Sequence, residues 1–145
     1  MTRLFDWIIG LFVRLPHSII ALIGRVSIGL VFWKSGRTKV DGWNIFHVND
    51  KTLFLFREEY RLPFIPPETA ALAAQIAEHV LPVLIIAGLA TRFAAFGLAI
   101  MVLVIQVLVY PGAYVLHGTW LAVLLMLMKF GPGAISADHL IYRRF

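Results

Sequence analysis

Cysteine is absent from this chain of 145 residues, and charged residues are scarce, at 14%. Without thiols the chain itself can form no disulfide, thiolate metal site or iron–sulfur ligation, and it can carry out no thiol exchange. Hydrophobic residues make up 60% of the sequence, well above the share in soluble domains. The composition therefore leaves little room for a soluble domain and indicates an integral membrane protein in a lipid bilayer.

Two patterns that would indicate other partners are also missing. The net charge is +5, but no basic stripe is interleaved with stacking aromatic residues, so no nucleic-acid partner is expected. The Lys and Arg residues lie mainly beside or between apolar runs, as they do in the loops of membrane proteins. No two histidines have HxxxH spacing, and no metal site is expected.

Four long apolar runs dominate the chain. About 20 apolar residues are needed to cross the roughly 30 Å hydrocarbon core of a bilayer as a helix. Proline and glycine separate the runs and mark their ends. The sequence therefore predicts a single all-α domain over residues 1–145, with membrane-spanning helices at about 17–36, 68–89, 92–110 and 114–131.

Two shorter helices are expected outside these spans. Residues 4–15 are too short to cross the bilayer, and their apolar side chains are flanked by Asp6 and Arg14. This pattern is typical of an interfacial helix rather than a cleaved signal peptide. In the loop 37–68, Asn49–Asp50 precedes TLFLFREEY, which predicts a capped amphipathic helix. The predicted fold class is thus an all-α transmembrane four-helix bundle with an interfacial helix and a loop helix.

An even number of spans places both termini on the same side of the bilayer. The Lys and Arg residues of the short loops favour the cytoplasm for that side. Lys34 is expected to snorkel beside Trp33, and Arg92 to act in a turn as a topology determinant and headgroup contact. Asp138 is expected either to cap the short terminal helix or to pair with Arg92.

Two charged residues lie deep inside the predicted spans, Arg25 in the first and Glu78 in the second. Inserting either side chain at mid-bilayer costs about 2.5–3.5 kcal/mol, so each charge requires a structural or functional explanation. Counted from opposite faces, Arg25 is roughly 12 Å deep and Glu78 roughly 15 Å deep, which brings them to a similar level. We therefore expect an Arg25–Glu78 ion pair, with the small residues of two stripes letting the helices approach closely: Ala21 and Gly29, and Ala70 and Ala74.

Other polar residues extend this hypothesis. His79 and Gln106 are candidates to join Arg25 and Glu78 in one polar cluster. Pro82 cannot donate to the Glu78 carbonyl, which leaves a free acceptor beside the acid. Two interpretations remain open, a structural charge pair that pins the bundle and a ligand, proton or redox-partner site.

Several motifs are shared with a known family. They are the Glu78 helix with Pro82, the turn GLATR at 88–92, and the GPG-x-x-S-x-D tail from Gly131 to Asp138. With these motifs the chain resembles the DoxX family of small bacterial membrane proteins over about residues 17–141. The resemblance implies a four-helix bundle in the bacterial cytoplasmic membrane with the long loop in the periplasm.

The resemblance implies fold more directly than function. The namesake group is associated with a subunit of a thiosulfate:quinone oxidoreductase, and related proteins assist the maturation of redox enzymes. We therefore expect a membrane subunit that supports a redox or stress-related system with a protein partner encoded nearby. A quinone-type ligand near Arg25, Glu78 and His79 is one hypothesis, and any catalytic role would be that of a membrane subunit of a quinone-linked oxidoreductase. The alternatives are a non-catalytic anchor or assembly partner, and a small transporter or metal-handling accessory.

Overall fold

The computed structural model describes residues 2–60 and 62–143, so Arg61 of the long loop and Arg144 of the basic tail lie outside the described residues. Within these ranges the helices are α1 (Thr2–Val13), α2 (His17–Arg37), α3 (Asp50–Glu58), α4 (Pro67–Ala87), α5 (Thr91–Val104), α6 (Tyr114–Phe130) and α7 (Ala137–Tyr142). A π-helical turn, Ile105–Val109, extends α5, and a 3-10 turn, Pro111–Ala113, leads into α6.

The predicted spans are confirmed as helices. Four helical stretches of the described chain are long and apolar enough to cross a membrane: His17–Arg37, Pro67–Ala87, Thr91–Val109 and Pro111–Phe130. The loop helix is also present, and the Asn49 side chain caps it by accepting a hydrogen bond from the Thr52 amide at 2.9 Å. The N-terminal helix is present as α1, while its position in the membrane interface stays a prediction.

Proline and glycine fix the ends of these helices. Pro67 lies in the first turn of α4, where its missing N–H is not needed. The same helix ends at Gly88, whose φ of 72° is left-handed and turns its N–H back to the Ile85 carbonyl. At the other end of the third span, the Tyr110 amide donates to the Ile105 carbonyl at 2.7 Å, five residues back. That bond forms the π-helical turn.

The spanning helices form a closed ring. Helix α4 packs against α2 and α5, and α6 packs against α5 and α2. Their common core is made of buried apolar side chains, including Phe32, Ile85, Leu98, Leu124 and Leu127. Helix α3 packs on α4 over a smaller cluster formed by Val48, Phe56, Ala70 and Ala71. The all-α bundle predicted from the sequence is confirmed.

The outside of the ring is apolar, as lipid contact requires. Large hydrophobic side chains stay exposed on every spanning helix, among them Ile23, Val83, Phe93, Ile100 and Leu125. We call the end of the bundle formed by residues 38–66 and 110–113 the loop end. The opposite end, formed by residues 14–17, 88–90 and 131–143, is the terminal end.

Candidate functional site: a cavity inside the helix bundle

Arg25 lies at the terminal end of the bundle. Its Nη2 donates to the Ile135 carbonyl, and its Nη1 donates to the Ile86 carbonyl at 3.4 Å. Arg25 is only 1% exposed, and a Cβ on Gly88 would collide with the guanidinium. The Ile86 carbonyl belongs to the last turn of α4, which lacks intrahelical donors. Arg25 therefore ties α2 to the end of α4 and to the segment before α7.

The predicted Arg25–Glu78 ion pair is wrong, and the register of α2 against α4 explains why. Gly36 lies against Glu78, since a Cβ on Gly36 would be 3.0 Å from the Glu78 carbonyl oxygen. Arg25 precedes Gly36 by three turns, or about 16 Å along the helix axis. The prediction assumed that both helices begin at a bilayer surface. Instead, the first half of α4 extends past the end of α2 and packs against α3.

Glu78 pairs with Lys39, which follows the end of α2. The Lys39 Nζ lies 2.6 Å from the Glu78 Oε2, and the two side chains are 13% and 4% exposed. The same Nζ donates to the Ser35 Oγ at 3.1 Å. Opposite charges at this distance offset part of each other's desolvation cost. The ion pair therefore accounts for an acidic side chain in the middle of an apolar helix.

Lys39 and Glu78 both line a cavity of about 680 Å³ among the spanning helices, which is partly open to the surface and which we call the bundle cavity. One wall is a face of α4 made of small residues: Ala70, Ala73, Ala74 and Ala77. Ala70 and Ala74 are the residues of α4 that were expected to let α2 approach closely, but they leave space for the cavity instead. The close approach of α2 to α4 occurs at Gly29, as expected, and at Gly36.

The lining of the bundle cavity is mostly apolar, with few polar side chains. Besides Lys39 and Glu78, these come from Ser35, Thr69, Tyr60, Tyr110 and His117. Small-molecule sites commonly have a volume of roughly 300–1,000 Å³, an apolar lining and a few polar groups that fix orientation. The cavity has these properties, and the Lys39–Glu78 ion pair lies in its wall.

Gln106 lies behind His117 and orients its ring. The Gln106 Nε2 donates to the Pro111 carbonyl at 2.7 Å, which turns the Oε1 toward the His117 Nδ1, also at 2.7 Å. An amide oxygen can only accept, so Nδ1 carries the proton and Nε2 of the neutral ring is an acceptor. His117 is buried and lines the cavity. Gln106 thus belongs to the site as a support rather than as part of its lining.

His79 is not among the described residues that line the bundle cavity. Its Nδ1 donates to the Gln75 carbonyl at 2.8 Å, and its ring packs edge-on against Trp33, with centroids 5.3 Å apart. Within the described residues, the buried His79 Nε2 and Gln75 Oε1 have no hydrogen-bond partner. The predicted cluster of Arg25, Glu78, His79 and Gln106 is therefore dispersed, and only Glu78 lines the cavity.

Two tyrosines form the wall of the cavity at the loop end. The Tyr60 and Tyr110 hydroxyls are 2.8 Å apart, and Tyr60 also packs edge-on against Phe56 of α3, with centroids 5.3 Å apart. Burial, and then the hydrogen bond with Tyr110, raise the pKa of Tyr60 above its ordinary value. Tyr60 is therefore neutral at physiological pH, and its contact with Tyr110 connects the loop helix to the end of the third span.

The structure places the other predicted residues at the two ends of the bundle. Lys34 is exposed near the end of α2, at the loop end. Arg92 is exposed at the start of α5, at the terminal end, where its guanidinium lies against Gly131. Their roles in topology stay predictions.

Asp138 has a different role from the two that were predicted. Its Oδ1 accepts from the Ala90 amide at 2.8 Å, and its Oδ2 accepts from the Thr91 amide at 3.1 Å. It therefore caps α5, while the Ser136 side chain caps α7. Both carboxylate oxygens of Asp138 accept hydrogen bonds from backbone amides, and neither forms an ion pair with Arg92.

Sequence reasoning missed Lys39, Tyr60, Tyr110 and His117 as members of the site. Lys39 follows a span, where cations ordinarily reach toward headgroups, so nothing in the sequence distinguishes it. The tyrosines are far apart in the chain and meet only because the loop folds back. His117 carried a usable signal, since a polar ring within a predicted span needs a partner.

Together, four apolar spans closed around a cavity define a multi-pass α-helical membrane protein. The family model DoxX matches residues 20–111, and the chain belongs to the DoxX family. Comparison with curated proteins and with solved structures gives no match.

Proposed function

We propose that the protein is a membrane subunit that binds a quinone-type ligand in the bundle cavity and supports a redox or stress-related system. The observation that carries this proposal is the Lys39–Glu78 ion pair in the wall of an otherwise mostly apolar cavity. The site differs from the one predicted from the sequence, because Arg25 and His79 do not belong to it.

The polar groups of the cavity suit a head group that exchanges carbonyl for hydroxyl. A quinone carbonyl can accept a hydrogen bond from the Lys39 ammonium. A quinol hydroxyl can donate to the Glu78 carboxylate or to the His117 Nε2. The alanine face of α4 offers an apolar wall for an isoprenoid tail.

The location is proposed to be the bacterial cytoplasmic membrane, with both termini in the cytoplasm and the long loop in the periplasm. Basic residues at the terminal end support this orientation: Arg14, Arg92, Lys129 and Arg143. Because the chain has no cysteine, any electron transfer would need the quinone itself, another bound cofactor or a partner protein. The proposal is therefore a subunit rather than a complete enzyme.

Quinone binding can be measured through tryptophan fluorescence, since Trp120 lines the cavity. We would titrate the purified protein in lipid nanodiscs with a short-chain ubiquinone or menaquinone analogue. Saturable quenching is expected. Ala74→Phe should fill the cavity and weaken binding, whereas the matched control Ala87→Phe, at an exposed position of the same helix, should not.

The dependence on the ion pair provides a second readout. Glu78→Gln and Lys39→Met should each weaken quenching in protein that still unfolds cooperatively. Equal quenching in Ala74→Phe, Ala87→Phe and the unmodified protein would contradict the proposal, because it would indicate quinone dissolved in the lipid. Mass spectrometry of extracted lipids tests whether a quinone is retained during purification.

A second candidate function is that of a membrane anchor for a partner protein. It is supported by the exposed aromatic side chains of the long loop, Trp43, Phe46, Phe54 and Phe64. Large apolar groups exposed in a loop commonly mark a protein interface. Co-purification with the product of a neighbouring gene, compared between the unmodified protein and a Trp43→Ala, Phe46→Ala, Phe64→Ala variant, tests this role. Metal handling has no comparable support, since the described residues contain no group of three potential metal ligands.

A further inference from the structure

A second cavity, of about 840 Å³, lies at the terminal end of the bundle. We call it the terminal hollow. It is bounded by the start of α5, the end of α6, the Gly131–Gly133 segment and α7. It shares no lining residue with the bundle cavity, so a ligand here would be independent of the proposed quinone site.

The terminal hollow contains a cation without a partner. Arg92 lines it and is exposed, and its guanidinium lies flat against Gly131, with the Nη2 3.4 Å from where a Cβ would be. Within the described parts of the chain, Arg92 makes no hydrogen bond and no ion pair. The nearest candidate acid, Asp138, also lines the hollow, but its two oxygens accept from the Ala90 and Thr91 amides.

A second unpartnered group lines the same hollow. Thr91 is fully buried, and its hydroxyl has no hydrogen-bond partner among the described residues. His139 of α7 also contributes to the lining. The hollow therefore presents a free guanidinium, which can donate to a phosphate oxygen, beside a buried hydroxyl that has no partner among the described residues.

Several of the other lining residues are exposed aromatic side chains. Phe93, Phe96 and Phe130 line the hollow, and they are 82%, 53% and 57% exposed. Phe93 and Phe96 lie on α5, and Phe130 ends α6, so this apolar surface begins where two spans reach the terminal end. A ligand with a charged head at Arg92 and apolar chains along α5 and α6 would match both parts of the hollow.

We propose that the terminal hollow binds an anionic phospholipid, with its phosphodiester at Arg92 and its acyl chains against the aromatic face of α5. A zwitterionic head group would bring its own cation next to the guanidinium, where Asp138, the one carboxylate among the described lining residues, already accepts from two amides. An anionic head group avoids that repulsion. The lipid would fasten α5, α6 and α7 together at this end of the bundle.

Native mass spectrometry of the full chain, purified and partly delipidated, tests this proposal. The protein is titrated with phosphatidylglycerol or with phosphatidylcholine carrying the same acyl chains. Phosphatidylglycerol should bind more tightly, and Arg92→Gln should weaken that binding by about fivefold. Arg14→Gln is the matched control, since Arg14 is an exposed cation at the same end but outside the hollow.

Three results would overturn the proposal. The first is equal affinity for both lipids, and the second is an equal loss in Arg92→Gln and Arg14→Gln, which would reflect general surface charge. The third is displacement of the lipid by inorganic phosphate or glycerol phosphate at similar concentration, which would indicate a free phosphate site. Arg92→Lys keeps the charge and should retain most of the binding. This variant therefore tests the proposal even if Arg92→Gln fails to fold.

Discussion

The ammonium of Lys39 and the carboxylate of Glu78 meet at 2.6 Å, where the end of α2 reaches the middle of α4. Lys39 lies just outside its helix and Glu78 deep inside its own, so the pair joins the long loop to the interior of the bundle. Both side chains also line the bundle cavity. The contact therefore contributes to the fold and to the proposed site, and the two contributions can be measured separately.

The structural contribution can be measured by a double-mutant cycle. Lys39→Met and Glu78→Met should each lower the free energy of unfolding by about 3–5 kcal/mol, because each leaves a charge in apolar surroundings without its partner. The double variant should lose less than the sum, with a coupling free energy of at least about 1 kcal/mol. Unfolding of the purified protein in mixed micelles provides the measurement, and strictly additive losses would contradict a direct pair.

The spans were predictable because their signal is local. Twenty or so apolar residues, bounded by proline and glycine, predict a helix that crosses a bilayer wherever its neighbours lie. The Asn49 cap of α3 is local in the same sense. Each of these elements depends on residues within a few positions of one another, and each is confirmed.

The site was less predictable because it depends on the register between helices. Depth counted from the start of each apolar run placed Arg25 and Glu78 together, but α4 begins far beyond the end of α2. No local sequence pattern indicates this offset between the two helices, because it depends on how the loop packs over the bundle. For the same reason Lys39 had the sequence features of an ordinary boundary cation, although the fold brings it to Glu78.

Arg25 should be essential for stability rather than for ligand binding. Arg25→Met removes hydrogen bonds to the Ile86 and Ile135 carbonyls while roughly preserving volume, and should cost about 2 kcal/mol or more. Proteolysis near Gly131 should accelerate, because the segment before α7 loses its tie to α2. Quinone affinity per folded molecule should not change, and a selective loss of that affinity would contradict the assignment. Arg14→Met serves as the control for an exposed arginine.

Asp138 should protect the Ala90 and Thr91 amides from hydrogen exchange. Asp138→Ala removes the acceptors of the Ala90 and Thr91 N–H groups, and loss of a helix cap typically costs about 0.5–2 kcal/mol. Hydrogen exchange at these two amides should accelerate by roughly tenfold for each 1.4 kcal/mol lost. Asp138→Asn should have a smaller effect because it keeps one acceptor oxygen. The control Asp41→Ala alters an exposed loop acid, and equal acceleration in both variants would contradict the specific cap.

Tyr60 should ionise at a higher pH than an ordinary tyrosine. Burial is the main cause and the hydrogen bond with Tyr110 is the next, so Tyr110→Phe should lower the pKa of Tyr60 only partway. Because the neutral phenol is favoured in the folded state, its contribution to stability is complete below about pH 10 and is lost as the pH rises through the folded-state pKa. Absorbance at 295 nm, with Tyr60→Phe as the reference, follows the titration. A normal titration of Tyr60, or one unchanged in Tyr110→Phe, would show that the two hydroxyls do not meet in the loop-end wall of the cavity.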